Sequence, residues 1–255
     1  MIRSGGMKGW EIFVHSVRLV FSNLQSALQI SLVPYAVSSL AYAYLGAEPL
    51  SLINAGDPMA LQQIDGGLAA GLMVYAIVGV LASLWIVVAW HRFVLLEEYP
   101  KTWVPGFHGS PVLMYFLKGL MLGLIITGAV LLVMLTVGAV FLVAGLSLLL
   151  PFFAVAMGAY LFYRFCPILP AAALGKQMST RDAWEATKGA GQDIAVLVLL
   201  VVLFSVLVQL PNTAGGADTF IGRTYSLVIN WIMMLVGASV LTTFYGHYVE
   251  GRGID

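Results

Sequence analysis

Residues 119–163 read GLMLGLIITGAVLLVMLTVGAVFLVAGLSLLLPFFAVAMGAYLFY and contain no Lys, Arg, Asp or Glu. A helix rising 1.5 Å per residue crosses the roughly 30 Å of membrane hydrocarbon in about 20 residues. The stretch is about twice that long, so it must fold back on itself, and Gly145, Ser147 and Pro151 offer the turn. Four more uncharged apolar stretches flank it, at about 24–45, 68–90, 194–211 and 224–246. Six spans result, at about 22–45, 68–91, 117–143, 149–173, 193–211 and 223–246.

The composition agrees. Of 255 residues, 60% are apolar and 9% charged, against about 45–50% and 25% in soluble domains. A soluble surface cannot absorb that much hydrocarbon, so the surplus faces lipid. Formal net charge is zero, which predicts no nucleic-acid partner. A single cysteine, Cys166, permits neither an intramolecular disulfide nor a thiolate metal cage. Met1–Trp10 does not read as a signal peptide, and Met7 is an alternative start to Met1.

Charge segregation tests the span count. Of the 12 Lys and Arg residues, only Arg223 falls on one side; Arg3, Lys8, Arg18, Arg92, Lys101, Lys118, Arg164, Lys176, Arg181, Lys188 and Arg252 all fall on the other. The loops beside Arg223 carry Glu48, Asp57, Asp65 and Asp218. The positive-inside rule makes the basic side cytoplasmic, with both termini there. An acidic exterior loop is expected over 46–67 and a Gly-rich exterior turn over 211–222. No loop is long enough for a folded soluble domain.

Three consecutive units follow one plan: an interfacial stretch, a span out, a span back, and an aromatic, basic exit. The exits are Trp90-His91-Arg92-Phe93, Tyr163-Arg164-Phe165 and Tyr245-Gly246-His247-Tyr248, and the ordinary interface belt accounts for them. The interfacial stretches are 10–23, 101–118 and 179–193. In the first, residues 10–22 form an amphipathic helix. Trp10, Phe13, Val14, Val17, Val20 and Phe21 share one side, while Glu11, His15, Arg18 and Ser22 share the other. Such a helix either lies among the headgroups or packs on the bundle's cytoplasmic face.

Arg164 is the most informative side chain. Pro151 to Arg164 is too short for a span, and Pro167 and Pro170 break any helix beyond it. Arg164 either opens on a polar cavity that takes a lipid phosphate or another anion, or snorkels to the headgroups. Arg164, Pro167, Pro170, Arg18 and Lys118 form the candidate lipid or anion set, with Lys118 expected to snorkel. Asn230 and Gln209 are expected to bond between helices, and Gly119 with Gly123 to bring span three close to a neighbour.

No motif nominates a catalytic residue, a metal or a cofactor. His91 and His247 end return spans on the same side but lack an acidic partner. Gly237-Ala238-Ser239-Val240 and Glu97-Glu98 are incomplete matches to membrane-protease motifs and are read as chance. No Asp or Glu lies within a span core, which disfavours a proton-coupled carrier.

The stretch Tyr163–Gly175 (YRFCPILPAAALG), followed by Ala183–Gly189 (AWEATKG), resembles the YciC-like and glycerophosphodiester phosphodiesterase membrane-domain group of bacterial proteins. The shared pattern is an arginine, a proline-containing apolar stretch and a helix of Ala-Trp-x-x-Thr type. Trp10–Pro34 and Thr242–Arg252 resemble uncharacterised alphaproteobacterial membrane proteins of that sort. The likeness implies a six-span helical domain and carries over no catalytic residue, since catalysis in the phosphodiesterases belongs to a separate soluble domain.

The expectation is therefore an all-α integral membrane protein, a six-transmembrane-helix bundle with cytoplasmic interfacial amphipathic helices in three helical-hairpin units, forming one polytopic domain over 1–255. Its setting is the bacterial inner membrane. The function expected is non-catalytic and lipid-linked or envelope-related, with no cofactor. Its partners are membrane lipids, with a membrane-protein partner or a second copy also weighed. A transporter for a small or amphipathic solute and an accessory or scaffold subunit are the alternatives; an enzyme ranks last.

Overall fold

The computed structural model describes residues 7–56, 58–212 and 219–254; Met1–Gly6, Arg3 among them, Asp57 and Asp218 lie outside the described residues. Helix α1 spans Met7–Ser22 and α2 Leu24–Ala41. A wide π turn over Tyr42–Gly46 carries α2 on into α3, Ala47–Asn54, and a single turn, α4, follows at Pro58–Leu61. Then come α5 (Gly66–Leu96), α6 (Gly109–Val143), α7 (Leu150–Phe165), α8 (Ile168–Ala173), α9 (Thr180–Ala186), α10 (Gly191–Pro211) and α11 (Phe220–Tyr248). No strand occurs among the described residues. Six helices are long and apolar enough to cross a membrane: Leu24–Asn54, Gly66–Leu96, Gly109–Val143, Ser147–Phe165, Gly191–Pro211 and Phe220–Tyr248.

Local chemistry explains most boundaries. Asp65 caps α5 by accepting from the Leu68 amide at 2.8 Å, and Thr219 caps α11 by accepting from the Gly222 amide at 3.0 Å. The α6–α7 turn passes through Gly145 at φ 71°, where a side chain would be strained. Three boundaries differ from the sequence reading. The first span runs two turns past residue 45, so 46–67 is helical for much of its length rather than a loop. The stretch 101–118 is no separate interfacial helix: α6 starts at Gly109, with Pro111 in its first turn, where its missing N–H costs nothing. Span four ends at Phe165 rather than 173, because the chain turns at Cys166-Pro167 into the separate, fully buried helix α8.

The spans pack unevenly along their length. Buried residues cluster at the end where the basic residues gather: Ala27–Pro34 of α2, Ile86–Leu95 of α5, Ile194 and Leu197 of α10, and Leu235–Gly246 of α11. The other halves of α6, α7 and α10 are largely exposed. Exposed side chains there, such as Leu135, Val143 and Phe152, are apolar, as a lipid-facing surface requires.

Helix α1 lies against the basic ends of α10 and α11. Gly9, Ile12, Ser16 and Val20 are buried on the bundle. Ser16 Oγ donates to the Ile12 carbonyl and sits 3.0 Å from Thr243 Oγ1 of α11, while Phe13 meets Phe204 edge-on at 5.6 Å. A second side carries Trp10 and Phe21, 56% and 52% exposed, and a third carries Lys8, Glu11, Arg18 and Ser22, with Lys8 bonded to Glu11 at 2.5 Å. The two placements weighed for residues 10–22 are thus compatible, because they use different faces.

Polar side chains on these helices pair across them. Trp231 Nε1 donates to Ser31 Oγ at 2.6 Å, tying α11 to α2. At the opposite end, Gln209 donates to Asn230 at 3.3 Å, as expected of them, and Asn212 and Ser226 extend the chain of bonds. The glycine pair in α6 makes no tight contact: a Cβ on Gly119 would meet only the Leu169 side chain at 3.9 Å, and one on Gly123 nothing within 4 Å. Close approaches occur instead at Gly9, against the Asp193 backbone, and at Gly46, against the Tyr75 ring.

Candidate functional site at the basic end

The three aromatic exits converge in the core rather than forming a belt. Trp90, Tyr163, Phe244 and Tyr245 are all under 9% exposed. A tryptophan or tyrosine at the end of a span looks the same in sequence whether lipid headgroups or a neighbouring helix surround it, so sequence alone points to the commoner case. Trp90 Nε1 donates to Ser239 Oγ at 2.8 Å, which gives Ser239 a packing role. His91 is fully buried, with Nδ1 2.7 Å from Thr242 Oγ1 and Nε2 3.4 Å from Tyr115 OH. His247 Nδ1 lies 3.2 Å from the Arg252 carbonyl. No cluster of three or more metal-ligating side chains occurs among the described residues.

The arginines next to these exits share one task. Each donates to carbonyls at the C-terminus of another helix, where partial negative charge gathers. Arg92 of α5 reaches Ala173 O of α8 at 3.1 Å. Arg164 of α7 reaches Thr187 O and, at 3.2 Å, Trp184 O at the end of α9. Arg252, beyond α11, reaches Leu95 O at 2.8 Å and Val94 O at 3.5 Å at the end of α5. The result is a plate of short helices and span ends laced together by cations from all three units.

Arg164 holds the centre of the plate. It is 5% exposed, its guanidinium lies 4.0 Å from the centre of the Trp184 ring, and Nε has no partner among the described residues. Thr187 Oγ1 lies 3.1 Å from the Arg164 carbonyl. Helix α9 has only seven residues, too few to persist alone. Ser179 and Asp182 form a capping box at its N-terminus, and Arg164 closes its C-terminus. The Ser179 bonds hold the Asp182 carboxyl below the usual carboxylate range. Of the candidate set, Arg164, Pro167 and Pro170 come together at the α7–α8 break. Arg18 stands exposed on α1, and Lys118 is half-buried about 13 Å along α6.

A second polar cluster, which the sequence reading set aside as chance, lies where α5 ends. Glu97 terminates the helix in the left-handed region, at φ 56°. Glu98 takes both bonds of a forked pair from Arg92, at 2.5 and 2.8 Å, and lies 3.5 Å from His108 Nε2. The Arg92 bonds hold the Glu98 carboxyl below its ordinary value. A depressed carboxylate stabilises the fold above its unfolded-state value and ceases to do so as pH falls through the folded one. Glu98→Gln should therefore melt below the parent at neutral pH, and the gap should close only as pH falls through the lowered folded-state value of Glu98. A constant gap in thermal midpoint across that range would mean that the ion pair contributes nothing. Nearby, the Lys176 ammonium donates to Glu250 at 2.9 Å, a bond that raises the lysine's pKa.

Six apolar spans around a densely bonded basic end define a multi-pass helical membrane protein. No protein-family model, no curated protein and no solved structure matches the chain.

Proposed function

We propose that this is a non-catalytic multi-pass protein of the bacterial inner membrane, with both termini in the cytoplasm and a lipid-linked or envelope-related role on that face. The observation that carries this is α1. Its exposed Trp10 and Phe21 stand beside exposed Arg18 on a helix whose remaining side is fixed to the bundle. That pattern suits a helix lying at the acyl boundary with its cations among the headgroups. The near-complete gathering of Lys and Arg at the same end supports a cytoplasmic orientation. In this reading Arg18 and Lys118 meet lipid headgroups, while Arg164 with the Pro167/Pro170 break builds the plate behind them. The resemblance to the YciC-like group fits the reading, because the Tyr163–Gly175 and Ala183–Gly189 segments that carry it lie in the plate.

A permease for a small or amphipathic solute is the second reading, favoured by the helix break at Cys166-Pro167. The first reading requires α1 to lie at the lipid boundary, so its test is to locate each face of α1 relative to lipid and water in a reconstituted bilayer. Lipid contact at Trp10 and Phe21 supports the first reading, and water at both positions removes its basis.

A further inference from the structure

The connection between α5 and α6 does not simply cross from one helix to the next. It dips back along α5, where Trp85 Nε1 donates to the Gly106 carbonyl at 3.3 Å and the Trp85 ring meets Phe107 edge-on at 5.4 Å. Trp103, Val104 and Phe107 are left 52%, 50% and 59% exposed. Aromatic and apolar side chains presented this way suit the headgroup–acyl boundary.

Between this loop and the α2 and α5 helices lies a cavity of about 730 Å³, within the range of about 300–1,000 Å³ that small-molecule sites occupy. Ile30 and Ala89 form its apolar floor, and Glu97, Glu98, Lys101 and His108 line its polar side. Ile30 is six residues from the start of α2 and Ala89 seven from the end of α5, so the floor lies about 10 Å in from the helix ends. A headgroup gives way to acyl chain at about that depth.

The charges on the wall choose the ligand. Glu98 is committed to Arg92 and His108. Glu97 and Lys101 are both exposed and make no ion pair among the described residues. A purely anionic head would satisfy Lys101 but meet Glu97, and a purely cationic one would do the reverse. A head carrying both charges satisfies both. A primary ammonium can also donate hydrogen bonds to a carboxylate, which a trimethylammonium cannot.

We infer that this cavity binds the head of an aminophospholipid, a phosphodiester bearing a primary ammonium. The phosphate lies toward Lys101, the ammonium toward Glu97, and the upper acyl chains toward Ala89. The inference rests on the lipid-linked reading above and goes further by naming a site and a headgroup. The test is native mass spectrometry of the delipidated full chain in mild detergent. The protein is given equal concentrations of phosphatidylethanolamine, phosphatidylglycerol and phosphatidylcholine with identical acyl chains. The ethanolamine adduct should dominate, and Glu97→Gln combined with Lys101→Ala should reduce it by tenfold or more, since loss of even one of the two charge-assisted hydrogen bonds costs about tenfold. Equal retention of the three lipids overturns the site, as does a preference that survives the double substitution. Should the double variant fail to fold, the competition on the parent protein decides alone. Retention of no phospholipid by the parent would remove the lipid-linked reading as well, whereas retention without preference would remove only this inference.

Discussion

Arg164→Ala is expected to lower stability by about 2–4 kcal/mol, the largest effect of any single substitution at the basic end. Thr187 O and Trp184 O lose their guanidinium donor together, keeping only the Ala190 amide and the Thr187 hydroxyl respectively, and the Trp184 ring loses its cation. The bonding between α9 and α7 is then reduced to the Thr187 hydroxyl on the Arg164 carbonyl. Unfolding in detergent should shift to lower temperature or denaturant, and proteolysis within 175–190 should accelerate before the spans themselves unfold. Arg164→Lys should recover little, because one ammonium cannot reproduce a planar fork aimed at two acceptors. A loss below about 0.5 kcal/mol, the size of an ordinary surface substitution, would mean that the guanidinium does not hold α9.

Gly9→Val comes second. A Cβ at Gly9 would lie 2.3 Å from the Asp193 carbonyl oxygen and 3.0 Å from the Leu197 amide nitrogen, both of them backbone. No rotamer change relieves such a clash, so α1 must lift away from α10. Overpacking of this kind costs about 1–3 kcal/mol. Lifting α1 would also expose Ile12, Ser16 and Val20, all fully buried in the native protein. Faster proteolytic release of residues 7–22 should accompany the fall in stability. Gly123→Ala serves as the matched control, since nothing lies within 4 Å of its Cβ position. It should be neutral or slightly stabilising through reduced backbone freedom. Equal behaviour of the two variants would contradict the close packing of α1 on α10.

These two sites also mark how far the sequence could be read. The uncharged run 119–163 requires a membrane hairpin, and six spans with segregated charge follow from length and hydropathy alone. Both signals are local along the chain. The arginine caps are not. Arg92 meets Ala173, and Arg252 meets Leu95, across long separations that no spacing encodes. Arg164 could be singled out as anomalous from its distance to Pro151 and the prolines after it, but its partners on α9 could not. Helix α1 shows a subtler limit. Periodicity finds its apolar side through Trp10, Phe13, Val14, Val17, Val20 and Phe21, and of these Phe13 and Val20 do meet the bundle, yet the packing face also takes in Gly9, Ile12 and Ser16. Glycine and serine carry no hydrophobic signal, so that face shows only once α10 and α11 lie against it. No motif joins Glu98 to His108 in the sequence; the loop's fold back onto Trp85 brings them together.

The most direct test of the account is the placement of α1 in a bilayer. Single cysteines at Trp10, Arg18 and Phe21, in a Cys166→Ala background, would carry nitroxide labels in the reconstituted protein. Their collision rates with oxygen and with a water-soluble nickel chelate then report lipid and water separately. The account predicts that labels at 10 and 21 favour oxygen and that the label at 18 favours the chelate. Chelate access at 10 and 21 equal to that at 18 would put the whole exposed surface of α1 in water and contradict the central claim.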